Sequence, residues 1–192
     1  LIVKTAIKRF CHYGFHKTTM NEIAEDIKIT KANLYYYFPD KPALIQEVIR
    51  HVVAELLTKQ VARINRYDKD LLATLNALLE VHADYLREYY MLHMNDSMEW
   101  IKGLDIQSFF HEMHLRESLM LKDLFQKAVD AGELILEDVD MASNSYVEII
   151  KGLGLIFTIS DVMSGIPNPS KVDQILLSQK NATQLIFGQR LQ

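Results

Sequence analysis

Residues 18–41 constrain the fold of this chain more than any other stretch. Their pattern predicts two short helices joined by a tight turn, followed by the start of a third helix. Thr19 and Glu22 have the spacing of a capping box, in which each side chain satisfies a free backbone N–H of the other residue. Thr30 is a suitable N-cap for the second helix, over about residues 31–37. The stretch therefore predicts a compact helix–turn–helix unit.

The two helices are predicted to pack through one apolar face each. Apolar residues recur at helical spacing in the first helix, at Met20, Ile23, Ala24 and Ile27. In the second helix, Leu34 and Phe38 are expected to face the first helix, and Tyr37 is expected to pack on the same side. The opposite side then carries small, amide and phenolic groups, which suits a helix that reads DNA.

Three residues on that side are candidates for reading bases. The Asn33 amide can pair bidentately with adenine N6 and N7. Lys31 could reach guanine O6 and N7, and Ala32 could lie against a thymine methyl group. We expect this side of the helix to carry the sequence specificity.

A second group of residues is better placed for phosphate contacts. It comprises Thr19, Asn21, Tyr35, Tyr36 and Lys41. The alternative is that the consecutive tyrosines are simply packed. DNA contact is favoured for Tyr35 and Tyr36, because their side of the helix has no core to pack against.

These motifs resemble the DNA-binding region of the tetracycline-repressor (TetR) family of bacterial transcription regulators. The resemblance covers about the first fifty residues and rests on Phe10, Gly14-Phe15, Thr18-Thr19, Ile23-Ala24, Ile29-Thr30, Leu34-Tyr35-Tyr36-Tyr37-Phe38, Lys41 and Leu44. It implies a helix-turn-helix head, and it makes the eight residues just considered the family's DNA-contacting positions. The family usually has Gly in the turn, where this chain has Lys28. A left-handed Lys28 would cost roughly 1 kcal/mol or more.

The helical pattern predicts an all-α chain of about nine helices, which is also the family's layout. Residues 1–45 are predicted to form the DNA-binding domain, and residues 46–192 an effector-binding and dimerisation domain. A first helix should end at Gly14, and a fourth, capped by Asp40, should link head to body over about residues 41–63. The body helices are expected near residues 70–90, 96–103, 106–131 and 138–165, with a last helix capped by Ser170.

The charge distribution supports DNA binding at one end of the chain. Residues 1–50 contain eight Lys and Arg against five Asp and Glu, whereas the whole chain has a net charge of −4. A basic head on an acidic body suits phosphate contact at the head. The single cysteine, Cys11, excludes an intrachain disulfide and fits a cytoplasmic protein, with burial expected for its thiol. The longest late uncharged run, residues 152–160, is too short to span a membrane, so no membrane partner is expected.

The last helices are the expected dimer surface. The eighth is apolar on more than one side, so it must bury one side inward and another against a partner. The candidate interface residues are Ile149, Leu153, Ile156, Phe157, Ile175, Leu185 and Ile186. In the family, the corresponding helices of two subunits make a four-helix bundle, and the paired heads reach successive major grooves. The alternative is that these residues form a monomer core.

The body also contains residues suited to a small-molecule cavity. Apolar bulk with a few polar atoms is supplied by His82, Tyr85, Tyr89, Met94, Trp100, Phe110, Met113, His114 and Glu117. Each could equally be ordinary core. A metal site is disfavoured, because His111 and His114 have no third and fourth ligand at an established spacing. No phosphate loop, nucleophile elbow or catalytic triad is evident, and no cofactor is expected.

The favoured function is a homodimeric regulator of transcription, a repressor that an unidentified small, largely apolar effector releases from a palindromic double-stranded DNA operator. Two other classes stay open. One is a nucleoid- or division-type interaction protein on the same fold, with no effector. The other is a small helical metal-dependent enzyme that uses His82, His111 and His114.

Overall fold

A computed structural model of the chain describes residues 1–93, 106–164 and 168–188. Those ranges contain nine helices, and the protein is all-α as predicted. The helices are α1 (Ile2–Lys17), α2 (Met20–Asp26), α3 (Lys31–Tyr37), α4 (Lys41–Ile64), α5 (Leu71–Glu88), α6 (Tyr90–His93), α7 (Ile106–Asp130), α8 (Val139–Ser164) and α9 (Lys171–Phe187). The helix expected at residues 96–103 falls outside the described ranges.

Most helix boundaries follow the local signals. The side chain of Asp40 accepts a hydrogen bond from the Ala43 N–H at 2.8 Å, so it caps α4 as expected. Gly14, with a φ of +77°, ends the regular first part of α1 as expected, and a further short helical segment continues beyond this kink to Lys17. The side chain of Ser170 was expected to cap α9, but it makes no capping hydrogen bond. Its hydroxyl instead donates to Asn168 Oδ1 at 2.6 Å.

The protein has two apolar core clusters. The first joins the three head helices to the first half of α4, the end of α5 and α6, through residues such as Phe10, Leu34, Val48 and Leu86. The second lies in the body, where α5, α7, α8 and the end of α9 meet around Phe125. The first cluster crosses the predicted domain boundary between residues 45 and 46. The head is therefore packed against the body rather than joined to it only by α4.

Arg9 holds α1 against α2. Its guanidinium donates two hydrogen bonds to the Asp26 carboxylate, at 2.5 and 2.8 Å, and lies 3.4 Å from Glu22. Paired guanidinium–carboxylate hydrogen bonds fix orientation as well as distance. The bond from Arg9 keeps the pKa of Asp26 below its ordinary value. This bridge sets the angle at which α2 leaves α1.

Candidate nucleic-acid interface and body cavity

The turn between α2 and α3 is built from local hydrogen bonds. The capping box at α2 is present: Thr19 N–H donates to Glu22 Oε2 at 2.7 Å, and Glu22 N–H donates to Thr19 Oγ1 at 3.3 Å. Thr30 Oγ1 accepts from Asn33 N–H at 3.2 Å and so caps α3. Lys28 has a φ of +56°, a left-handed conformation that glycine adopts without strain. These contacts fix the direction of α3.

One side of α3 is anchored and the other is open. Leu34 is fully buried between the head helices, whereas Lys31, Ala32 and Asn33 are exposed. Tyr36 is 83% exposed, and the Lys31 ammonium lies 5.6 Å above the centre of the Tyr35 ring. The residues predicted to read bases therefore share a solvent-facing surface on a helix that the core holds in place.

Tyr37 differs from expectation. It was expected to pack beside Leu34 but is 59% exposed. Because α3 ends at Tyr37, the next residue, Phe38, leaves the helix and packs against the head core instead. The Tyr37 ring lies edge-on to Tyr36, with 5.3 Å between ring centroids. Tyr37 thus extends the aromatic surface of α3.

The predicted phosphate-binding residues flank this surface. Thr19 and Asn21 are exposed at the start of α2. Lys41 is partly buried, and its Nζ donates to the carbonyl oxygen of His16 at 3.3 Å, which ties the start of α4 to the end of α1. Burial lowers the pKa of Lys41. This bracing contact of Lys41 was not foreseen.

Two further basic residues lie near the ends of α2. Lys17 precedes its N-terminus, Lys28 follows its C-terminus, and both are exposed. They were counted in the charge of the head but were not assigned a contact. Because both lie beside a helix that was predicted to face phosphates, they could have been predicted as further phosphate contacts.

A cavity of about 90 Å³ lies between helices of the body and is partly open to solvent. Four helices form its wall: α4 supplies two residues, α5 four, α7 three and α8 four. The lining residues are Leu56, Gln60, Leu75, Leu78, Leu79, His82, Glu117, Met120, Leu121, Tyr146, Val147, Ile150 and Lys151. Leu56 belongs to the first core cluster and most of the others to the second, so the cavity lies where the two clusters meet.

Of the nine predicted effector contacts, His82 and Glu117 line this cavity. The five others that the structure describes are not part of its lining. Tyr85 and Met113 are buried elsewhere in the core, Tyr89 packs against the first cluster, and Phe110 is largely exposed. The His114 ring lies 3.5 Å from the Ser118 hydroxyl. Met94 and Trp100 fall outside the described residues.

Most of the lining was missed because it comes from leucines on α5 and from α8. The α5 leucines recur at helical spacing, which does not distinguish a packed position from a cavity wall. One side of α8 was expected to face inward, but the residues on that side were not assigned. Tyr146 and Val147 are followed one helical turn later by Ile150 and Lys151, so the four residues lie on one side of α8. This spacing was the available signal for an inward face.

The polar groups of the cavity are mostly paired within the protein. Lys151 Nζ lies 2.5 Å from Glu117 Oε2, an ion pair between α8 and α7. The Tyr146 hydroxyl lies 2.7 Å from Thr183 Oγ1 on α9, and burial raises the Tyr146 pKa to about 12. Gln60, on α4, lies on the wall and is 9% exposed. The cavity is therefore apolar with a few fixed polar positions.

The last two long helices present an apolar outer face. Ile149, Leu155, Ile156, Ile159 and Met163 are exposed on α8, and Leu177 and Leu185 on α9. Of the seven predicted interface residues, Leu153, Phe157 and Ile186 are partly buried. Ile175 is only 1% exposed. It lies inside this subunit, close to Gly154 on α8, because the α8–α9 contact within one chain uses that side of α9.

Among the described residues, no three His, Cys, Asp or Glu side chains are grouped so that they could hold a metal ion. In the same ranges, no helix is both long and apolar enough to cross a membrane.

Comparison with known proteins identifies the amino-terminal segment. Residues 2–48 match the family described as bacterial regulatory proteins, tetR family. An uncharacterised HTH-type transcriptional regulator of Bacillus subtilis, YuxN, is 32% identical over 93 residues, which are 45% of this chain and 32% of YuxN. The HTH-type transcriptional repressor NicS of Pseudomonas putida is 28% identical over 136 residues, which are 71% of this chain and 60% of NicS. The chain thus spans less than two thirds of either relative.

The whole fold has a counterpart among solved structures. A transcriptional regulator from Cytophaga hutchinsonii superposes with a TM-score of 0.87 at 22% sequence identity, covering 100% of this chain and 97% of that one. At this identity the likeness concerns the fold. The sequence match is to the tetR family over residues 2–48, which include α1, α2, α3 and the start of α4, and the remainder of the chain shares its fold with this solved regulator.

Proposed function

We propose that the protein is a homodimeric transcriptional regulator that binds a near-palindromic DNA operator and is released from it by a small molecule. The observation that carries the proposal is the open side of α3, where Lys31, Ala32 and Asn33 are exposed while Leu34 anchors the helix. Repression is the favoured sign of regulation, in keeping with the name of its relative NicS.

The assembly follows from geometry. A single short head makes few phosphate contacts and would bind DNA weakly. Two heads related by a twofold axis can dock in successive major grooves about 34–36 Å apart. The exposed apolar residues of α8 and α9, among them Ile156 and Leu185, supply a surface on which two subunits can pack.

Helix α4 is the proposed link between effector and DNA. Its first residue, Lys41, is bonded to the end of α1, and Leu56 and Gln60 line the cavity. Gln60 is 19 positions from Lys41, or about 28 Å along a helix. A ligand that favours a different tilt of α4 would change the separation of the two heads, so that both half-sites no longer dock together. Identical head separation in crystals of free and ligand-bound dimers would contradict this mechanism.

Selection of bound sequences from a random duplex pool tests the DNA proposal directly. We expect an inverted repeat whose half-sites are centred about one helical turn, or a multiple of it, apart. A monomeric site, or no enrichment at moderate salt by a protein that is folded by circular dichroism, would contradict it.

One observation favours a second candidate. The cavity, at about 90 Å³, is smaller than the roughly 300–1,000 Å³ typical of drug-sized ligand sites. A DNA-bound interaction protein without an effector would have such a body. The two candidates differ in one measurement: a regulator's operator complex dissociates when a cavity ligand is added, whereas the complex of an interaction protein does not.

A further inference from the structure

The cavity offers one polar group whose partner is not supplied by the surrounding protein. The Gln60 side chain has one acceptor oxygen and two N–H donors, and its residue is 9% exposed. Among the described residues, no hydrogen bond to this amide is found. Gln60 lies on the cavity wall, so a molecule in the cavity can supply a partner for its amide.

A second buried glutamine in the same body behaves differently. Gln179, on α9, is 1% exposed, and its Nε2 donates to the carbonyl oxygen of Ile150 at 2.9 Å. A buried amide oxygen without a hydrogen-bond partner also occurs at Asn76 Oδ1 on α5. Gln60 differs from both Gln179 and Asn76 because it lines the cavity.

The charges of the cavity favour an uncharged occupant. Glu117 and Lys151 neutralise each other at 2.5 Å. An incoming carboxylate would be attracted by Lys151 but repelled by Glu117. An incoming ammonium would be attracted by Glu117 but repelled by Lys151. A neutral molecule leaves the ion pair undisturbed. The other walls are largely aliphatic and suit an apolar body.

We propose that the cavity selects a small, uncharged molecule with an apolar body and one amide group, which pairs with the side-chain amide of Gln60. An amide is the complement that can both donate to the Gln60 oxygen and accept from its nitrogen. Loss of one such neutral hydrogen bond weakens binding about tenfold. This inference rests on the proposed function only in taking the cavity as the effector site.

The test is a head-group series of equal chain length. Butanamide, butanoate and butylammonium are titrated into the full-length protein, and binding is followed by protein-observed NMR. Butanamide is expected to bind about tenfold more tightly than either charged analogue. Gln60→Leu is expected to lose this preference, whereas Gln46→Leu, the same change on α4 but away from the cavity lining, is expected to keep it. Tighter binding of a charged analogue, a preference that survives Gln60→Leu, or no binding of any probe would overturn the inference.

Thermal unfolding without ligand separates this role from a structural one. If Gln60 is kept for a ligand, Gln60→Leu removes a buried amide without a protein partner, and the Tm is expected to rise. If Gln60 is needed to hold α4, the Tm falls, and the inference is wrong. Operator binding by the same preparations is measured separately by fluorescence anisotropy. Failure of the head-group test with intact operator binding overturns the ligand inference alone, and loss of both overturns the proposed function as well.

Discussion

Lys28 shows how a single residue departs from the usual pattern at the turn before α3. Its φ of +56° is a conformation in which an L-residue is strained and glycine is not. We expect Lys28→Gly to raise the free energy of unfolding by about 0.5–1 kcal/mol, since relief of the strain outweighs the extra freedom of glycine in the unfolded chain. Urea unfolding measures the change.

Lys69 provides a matched control, because its φ is +54° in the loop between α4 and α5. Lys69→Gly should stabilise the protein similarly and leave operator affinity unchanged. Lys28→Ala removes the charge and keeps the backbone strain, so it should not stabilise. A destabilised Lys28→Gly variant would mean that the lysine side chain contributes to the turn in a way that outweighs its backbone cost.

Substitutions of Asn33 and Lys41 are expected to weaken DNA binding in different ways. Asn33→Ala should cost about 1–3 kcal/mol of binding at one base pair and relax specificity there. Lys41→Ala should weaken binding to all duplexes. It should also reduce the slope of log affinity against log salt concentration by about one. Anisotropy titrations against an operator and its single-base variants, at several salt concentrations, distinguish the two patterns. If both variants bind like the parent, the assigned contacts are wrong.

At the scale of the helix, the capping residues could be predicted from the sequence, but the helices that pack against each other could not. The caps at Thr19, Thr30 and Asp40 depend on residues within one turn, and the sequence displays them directly. Ile175 shows the limit. Its spacing indicates an apolar face, but whether α8 of the same chain or a partner covers that face depends on long-range packing. The cavity was mostly missed for the same reason, because a wall residue and a core residue have the same periodicity.

Asp161 joins three elements that no local signal connects. Its buried carboxylate accepts from the Lys171 ammonium of α9, from the Tyr90 hydroxyl at 2.6 Å and from the Asn168 N–H at 2.9 Å. Tyr90 also belongs to the first core cluster, with the head residue Phe10. Asp161 thus couples the end of α8 to the segment on which the head packs.

The Asp161 contacts predict a particular acid sensitivity. The bond from Lys171, and then that from Tyr90, keep the pKa of Asp161 below its ordinary value. Because the folded pKa lies below the unfolded value of about 3.9, the stabilisation is complete above that pH and is lost as the pH falls through the folded pKa. Asp161→Asn should lower the Tm by several degrees at neutral pH and flatten its decline below about pH 4. If the Tm of variant and parent declines in parallel as the pH falls, the assignment is wrong. Asp123→Asn, which removes a carboxylate from an exposed ion pair, is the control.

At the scale of the whole molecule, the two ends of the chain have opposite requirements. In the proposed function the head stays open to meet DNA, whereas the outer face of α8 and α9 carries exposed apolar residues that favour burial. The proposed dimer would bury this second face and leave the exposed side of α3 uncovered. Effector control then needs only a change in the relative orientation of two rigid units.

Ile156 tests this organisation, since it is 67% exposed near the middle of α8. Ile156→Glu places a charge in the proposed interface without disturbing the subunit core, so we expect folded monomers and at least a tenfold loss of operator affinity. Ile135 is 64% exposed between α7 and α8, so Ile135→Glu makes the same change at equal exposure outside the face and should leave a dimer. Sedimentation velocity and circular dichroism on both variants give the mass and the helix content. A dimeric Ile156→Glu protein, or a parent that is monomeric while it binds its operator, would show that the protein does not assemble through α8.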